Sequence, residues 1–151
     1  MPLSKPVLIL GGGGHASVLV DALKLNSIDI IGVVDPVLEK GSTVFNDVLV
    51  LGNEESVSQY NSSELLLVNG LGPSPKRSNR EDLNRKFLDL GYEFCSVIHP
   101  SALISPNVKL KMGVQVMAGA VIQSGCEIGF NTVVNTGAIV DHDCILGDYC
   151  H

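Results

Sequence analysis

From Ile98 onward the chain obeys a six-residue rule. Every sixth residue, Ile98, Ile104, Leu110, Val116, Ile122, Ile128, Val134, Val140 and Leu146, is Ile, Leu or Val. The residue four places after each, Ala102, Val108, Val114, Ala120, Cys126, Thr132, Ala138, Cys144 and Cys150, is small or β-branched. A helix repeats about every 3.6 residues and a strand about every 2, so neither produces this pattern. A period of six describes a prism, in which each hexad supplies one short flat strand and one corner. The two patterned positions point inward, and Gly113, Gly119, Gly125, Gly129, Gly137 and Gly147 fall near the bends, where backbone freedom is needed. Three hexads make a coil of 18 residues, so the segment holds coils 98–115, 116–133 and 134–151. Each coil is expected to bury its inward residues against its neighbours, as solenoids do.

Residues 1–97 follow a different grammar, alternating apolar strands with helices, which implies a parallel sheet with helices on its faces. Val7–Leu10 is a short apolar run ended by glycines. A helix is predicted from about His15 to Leu25, with Val18, Leu19, Ala22 and Leu25 on one face. Strands follow at Ile28–Val34 and, more weakly or as extended loop, at Val48–Leu51. A short helix over Glu54–Tyr60 and a strand at Leu65–Val68 come next. Ser78–Leu90 reads as a helix with Leu83, Phe87 and Leu90 at near-helical spacing and Gly91 as its stop, and Phe94–Val97 closes the unit.

Charge and composition exclude several classes. The net charge of −6 leaves nothing to neutralise phosphates in bulk, so no nucleic-acid partner is expected. Lys76, Arg77, Arg80, Arg85 and Lys86 form only a loose cluster. No apolar run reaches the roughly 20 residues that span a bilayer, and Met1–Lys5 lacks a signal-peptide layout, so no membrane association and a cytoplasmic location are expected. Cys95, Cys126, Cys144 and Cys150 form no CxxC pair and no zinc spacing, and no metal is expected. The last three fall on the small inward position of the repeat and read as core residues.

Gly11-Gly12-Gly13-Gly14-His15-Ala16 follows a strand and opens a helix, fitting G-x-G-x-x-A at Gly11, Gly13 and Ala16. Asp35 ends the next strand. This is the layout of a nucleotide-binding βαβ unit, in which glycines admit close backbone approach, the helix N-terminus attracts phosphate and the acid lies near ribose or base. Gly11, Gly13, Gly14, His15 and Asp35 are therefore candidate ligand residues. A glycine-rich turn that binds nothing and an NAD site fit the same local pattern.

The GGGGH loop, Arg80, the junction Ile98-His99-Pro100-Ser101-Ala102 and hexads containing Asn135-Thr136 and Asp141-His142-Asp143 together resemble one family. It is the sialic-acid O-acyltransferase and nucleotide-amino-sugar N-acetyltransferase family (NeuD/PglD-like), and the resemblance spans nearly the whole chain. It implies a Rossmann-like α/β domain at 1–97 that holds a nucleotide sugar, followed by a left-handed parallel β-helix at 98–151. The triangular section and the left-handed winding come from this resemblance alone, since most crossovers are right-handed. It further implies a homotrimer with acetyl-CoA bound between subunits, and acetyl transfer to a sugar amine or hydroxyl.

In the family, a histidine of an N-T-x-x-x-x-x-H stretch is the general base next to a carboxylate. That stretch here runs from Asn135, a candidate substrate contact, to His142, followed by Asp143. A second family histidine near the thioester corresponds to His151. The repeat itself puts His142 and Asp143 at a corner, where two neighbours can both face outward and a carboxylate can orient an imidazole. A solvent-exposed corner histidine carrying no role fits the same placement. His15 is expected to shape the phosphate loop and His99 to fix the domain junction. Arg80 is expected either to pair with sugar phosphates or to be a solvated helix residue. Two departures stand out. Gly72-Pro73-Ser74-Pro75 looks inserted before Arg80, which would shift the nucleotide pocket. The third coil also lacks a polar cap, so a fragment or truncation missing later acetyl-CoA contacts is expected. An NAD-dependent reductase and a non-catalytic nucleotide-sugar sensor are the rival functions.

Overall fold

The computed structural model describes residues 5–73 and 78–151; Ser74 and Pro75 of the insertion-like stretch, and Lys76 and Arg77, lie outside the described residues. The chain divides into two compact units between Phe94 and Cys95.

The first unit is an α/β fold. Strands β1 (Val7–Leu10), β2 (Ile30–Val34), β3 (Thr43–Val44), β4 (Val48–Gly52) and β5 (Leu66–Asn69) form one sheet in the order β3-β4-β2-β1-β5. All pairings are parallel except β3 with β4. Every residue of β1 is fully buried, as befits a central strand covered on both faces. Leu8 and Leu10 pack in a cluster with Val57, Leu67, Leu83, Phe87 and Phe94, which binds helix α2 (Ser78–Asp89) and the 3₁₀ turn Glu54–Gln59 to one face. The other face falls to α1 (Gly14–Leu25), which buries Ala16, Leu19, Val20, Ala22 and Leu23.

Several elements differ from the sequence reading. Of the expected apolar face of α1, Leu19 and Ala22 are buried, joined by Ala16, Val20 and Leu23, whereas Val18 and Leu25 are exposed. Leu90 is exposed too, because α2 ends one residue before it. Val48–Gly52 is a full member of the sheet rather than a weak strand, since its alternate residues pair it with β2 while Thr43–Val44 covers its other edge. Phe94 makes only a single bridge to Leu67. Val97 leaves that unit altogether: β6 (Val97–Ile98) pairs with Gln115–Val116.

In the second unit, nine two-residue strands recur every six residues: β6, β7 (Leu103–Ile104), β8 (Lys109–Leu110), β9 (Gln115–Val116), β10 (Val121–Ile122), β11 (Glu127–Ile128), β12 (Val133–Val134), β13 (Ile139–Val140) and β14 (Ile145–Leu146). They form three parallel three-stranded sheets, β6-β9-β12, β7-β10-β13 and β8-β11-β14, so each strand pairs with the strand one coil away. No helix occurs in residues 98–151. The inward positions form one cluster in which Val114, Val116, Ala120, Ile122, Cys126 and Ile128 are fully buried, whereas Ile104, Leu110, Val140 and Leu146 are only partly so. The middle coil has a neighbour on each side and the outer coils have one, which is the burial gradient of a solenoid. Cys126 sits in this core and its thiol donates to the Asp141 carbonyl at 2.9 Å.

Candidate functional site

In the α/β unit, candidate groups gather at the C-terminal ends of β1, β2 and β5. Strand order reverses between β1 and β5, the switch point where open parallel sheets hold ligands. Gly11 leaves β1 with φ +92, a conformation that favours glycine, and Gly70 packs so closely on it that a methyl group there would stand 2.6 Å from the Gly11 carbonyl oxygen. Gly13 is the N-cap of α1, with no side chain capping the helix and no acid in its first turn. Gly13 and Gly14 are exposed, so the positive end of a 12-residue helix faces solvent, an arrangement that attracts anions. His15 is half-buried in that first turn, with its Cβ beside Gly72.

Asp35 pins this loop. Its Oδ2 accepts from the Gly12 N–H at 2.9 Å and its Oδ1 from Val37 and Leu38 N–H at 2.8 and 3.2 Å. Partial burial pushes its pKa up, but the backbone donors of Val37, Gly12 and Leu38 together outweigh this and hold it below the usual carboxylate value. The sequence pattern expects Asp35 near ribose or base; in the structure its carboxylate is engaged by backbone.

Arg80 is not a solvated helix residue: it is 8 % exposed, and its guanidinium donates to the Asn69 carbonyl at 3.3 Å and to the Leu71 carbonyl. It anchors the first turn of α2 to the chain leaving β5. Sequence reasoning missed the partners in this network. Asn69 accepts from Leu71 N–H and donates to the Arg80 carbonyl and to Asn84 Oδ1 at 3.1 and 2.6 Å. The available signal was an asparagine closing an apolar strand, and an asparagine on the inner stripe of α2. Beside Leu71 lies a cavity of about 390 Å³ lined also by Glu54, Asn79, Asp82, Leu83 and Lys86.

In the β-helix, His142 and Asp143 stand together at the corner between β13 and β14. Their side chains are 73 % and 77 % exposed, and His142 Nδ1 lies 2.8 Å from Asp143 Oδ2. The hydrogen bond that His142 donates to Asp143, followed by the charges of Asp141 and Asp143, raises the His142 pKa above its ordinary value. An Nδ1–H given to the carboxylate leaves Nε2 as the basic nitrogen, directed away from Asp143. Asn135 and His151 meet elsewhere, at the edge beyond β12, with Asn135 Nδ2 3.0 Å from His151 Nε2. Within one chain they sit at a different corner from His142. His99 caps its own turn, its Nδ1 accepting from the Ser101 N–H at 3.1 Å. Burial pushes the Cys95 thiol up to about 11, which leaves it un-ionised at neutral pH. Among the described residues no group of His, Cys, Asp and Glu is arranged to hold a metal ion, and no helix is long and apolar enough to cross a membrane.

Similarity to known proteins extends over both units. Residues 6–80 match the PglD N-terminal domain family. The whole chain superposes on 70 % of a histidine mutant of perosamine N-acetyltransferase from Caulobacter crescentus, solved with CoA and GDP-perosamine, at 36 % identity and a TM-score of 0.87. It matches the acetyltransferase domain of PglB from Neisseria gonorrhoeae, solved with acetyl coenzyme A, at 27 % identity and a TM-score of 0.83. That match covers 96 % of this chain and 68 % of that one. The fold is also that of WeeI from Acinetobacter baumannii, at 18 % identity and a TM-score of 0.81 over 97 % of this chain and 68 % of that one. A Rossmann-like sheet with its glycine loop, followed by a left-handed β-helix that presents a paired histidine and aspartate, places this chain in the NeuD/PglD-like family of sugar acetyltransferases.

Proposed function

We propose that the chain transfers the acetyl group of acetyl-CoA to the amine of a nucleotide-linked amino sugar, with His142 as general base and Asp143 as its orienting carboxylate. The exposed His142–Asp143 pair carries this reading. The amine nitrogen attacks the thioester carbonyl, the C–N bond forms and the C–S bond breaks. Nε2 of His142 accepts the proton that the amine must lose and returns it to the departing thiolate. Direct attack requires no protein nucleophile, which fits a corner whose polar groups are a histidine and acids.

The α/β unit is read as the holder of the nucleotide sugar. Gly11, Gly13, Gly14 and His15 form the phosphate cradle at the helix N-terminus. Asp35 serves by fixing that cradle and Arg80 by anchoring α2, and Asn135 and His151 are assigned to the substrates at the β-helix. The boundary between binding and transfer functions falls near residue 97.

The assembly is read as a homotrimer in the cytoplasm, with no nucleic-acid or membrane partner. The sheet β7-β10-β13 supports this, because it turns an apolar row outward: Leu103 at 69 % and Ile139 at 74 % exposure flank the half-buried Val121. Light scattering should give three times the chain mass, and a monomer mass at micromolar concentration overturns the trimer.

Acetyl transfer to an amino-sugar nucleotide tests the chemistry. His142→Ala should lose about 10²- to 10⁴-fold in kcat, the usual worth of a general base; unchanged activity removes His142 from the mechanism. A base works in its neutral form. Because Asp143 raises the His142 pKa, Asp143→Asn should move the acid limb of the rate profile to lower pH while lowering the plateau.

A further inference from the structure

We propose that Gly125 is a positioning residue for acyl transfer: its missing side chain opens a seat for the Asp143 carboxylate, and that seat aims the carboxylate at His142. The proposal rests on the general-base reading of His142.

Gly125 and Asp143 occupy the same corner in successive coils. Both adopt left-handed backbone, with φ +79 and +58, and the Asp143 N–H donates to the Ser124 carbonyl at 3.0 Å, which docks the upper turn on the lower one. A methyl group on Gly125 would overlap Asp143 Oδ1 and stand 3.3 Å from its Cγ. One carboxylate oxygen therefore rests on the glycine while the other, Oδ2, faces His142 Nδ1 at 2.8 Å. Apart from this seat the pair is open to solvent, both side chains being about three-quarters exposed. Free rotation would spread the carboxylate over several rotamers, and ordering it for each encounter costs conformational entropy. A seat that fixes one oxygen removes that cost before substrate arrives.

The next corner shows that such a seat acts by shape. Asn131, with φ +50, lies over Gly113, with φ +74. A methyl group on Gly113 would overlap Asn131 Oδ1 and stand 2.7 Å from its Cγ. The Asn131 side chain is buried, and among the described residues neither of its amide atoms has a hydrogen-bond partner. Its placement over the glycine is thus a steric fit rather than a hydrogen bond. The remaining corner carries Gly119 and Gly137, also left-handed, with open space where a methyl group would go, and it seats nothing.

That corner supplies the control. The imidazole of His142 is titrated by NMR in the full chain for wild type, Gly125→Ala, Gly119→Ala, Asp143→Ala and the Gly125→Ala/Asp143→Ala double variant. Gly125→Ala should lower the His142 pKa toward that of Asp143→Ala, shift the acid limb of kcat/KM the same way and lower the neutral-pH rate by roughly tenfold, a fraction of what removing the base costs. Gly119→Ala imposes the same left-handed backbone on an alanine but should leave the titration unchanged. The double variant should titrate like Asp143→Ala alone, as coupled sites do. A folded Gly125→Ala with unchanged His142 titration overturns the seat. If Gly125→Ala does not fold, Asp143→Glu decides instead: it carries the carboxylate one methylene past the seat, and an unchanged His142 pKa overturns the proposal. Full activity in His142→Ala would sink the general-base reading, whereas the titrations would still decide whether the seat exists.

Discussion

In the β-helix, each crowded glycine answers to a residue 18 places later: Gly113 to Asn131, Gly125 to Asp143 and Gly129 to Gly147. In the α/β unit no single offset governs the crowded glycines. Gly12 lies under Leu38, Gly32 against Leu49 and Leu51, and Gly70 against Leu10 and Gly11. The difference is one of dimension. A solenoid is quasi-one-dimensional, so each position meets the same position one coil away. A sheet ordered β3-β4-β2-β1-β5 brings together segments at unrelated separations, and its glycines are fitted to those meetings individually.

The comparison breaks most visibly if burial in the solenoid does not depend on having neighbours on both sides. Ile122→Ala, in the middle coil, should cost about 2–5 kcal/mol in urea unfolding, the range for truncating a buried isoleucine. Ile104→Ala, half-buried in the first coil, should cost distinctly less. Equal losses would mean that the coils do not stack as independent neighbours.

A smaller effect sharpens the 18-residue rule. A methyl group at Gly129 would run into the Gly147 backbone, and backbone cannot swing aside as a side chain can. Gly129→Ala should therefore cost about 1–3 kcal/mol, the usual range for overpacking. A Gly129→Ala variant as stable as wild type would show that the coils can part without penalty.

The smallest effect belongs to the α/β unit and depends on pH. Asp35→Asn weakens the backbone bonds to Gly12, Val37 and Leu38 and should cost about 1 kcal/mol at neutral pH, like loss of a helix cap. Because the folded pKa of Asp35 is depressed, its contribution is complete above the unfolded value near 3.8 and fades as pH falls through the lower folded value. The gap between Asp35→Asn and wild type should close on acidification, read as converging unfolding midpoints; a gap that widens would mean that Asp35 is stabilised by burial instead.

Legibility followed the same divide. The nine strands of the β-helix fall where the six-residue period puts them, and His142 and Asp143 face outward at their corner, because a corner position follows from counting. The α/β unit was legible only in pieces. The glycine loop and α1 are readable from local pattern, yet the buried face of α1 shares only Leu19 and Ala22 with the expected one, because a short amphipathic helix does not say which of two overlapping stripes the sheet will cover. Arg80 looked like a ligand contact or a surface residue; its burial on the carbonyls of Asn69 and Leu71 depends on where β5 ends relative to α2.

Taken alone, the sequence determined what repeats: the coil length, the inward residues, the corner that carries His142, and the βαβ start with its glycines. These are set by local chemistry and by periodicity, which need no knowledge of distant partners. Tertiary structure decided what depends on a meeting between remote segments. It gave Asp35 to the Gly12 amide rather than leaving it open, turned Arg80 inward, added Thr43–Val44 to the sheet edge and moved Val97 into the β-helix. It also seated the Asp143 carboxylate on Gly125. The spacing of those two residues was in the sequence, but the steric fit between them exists only once one coil lies on another.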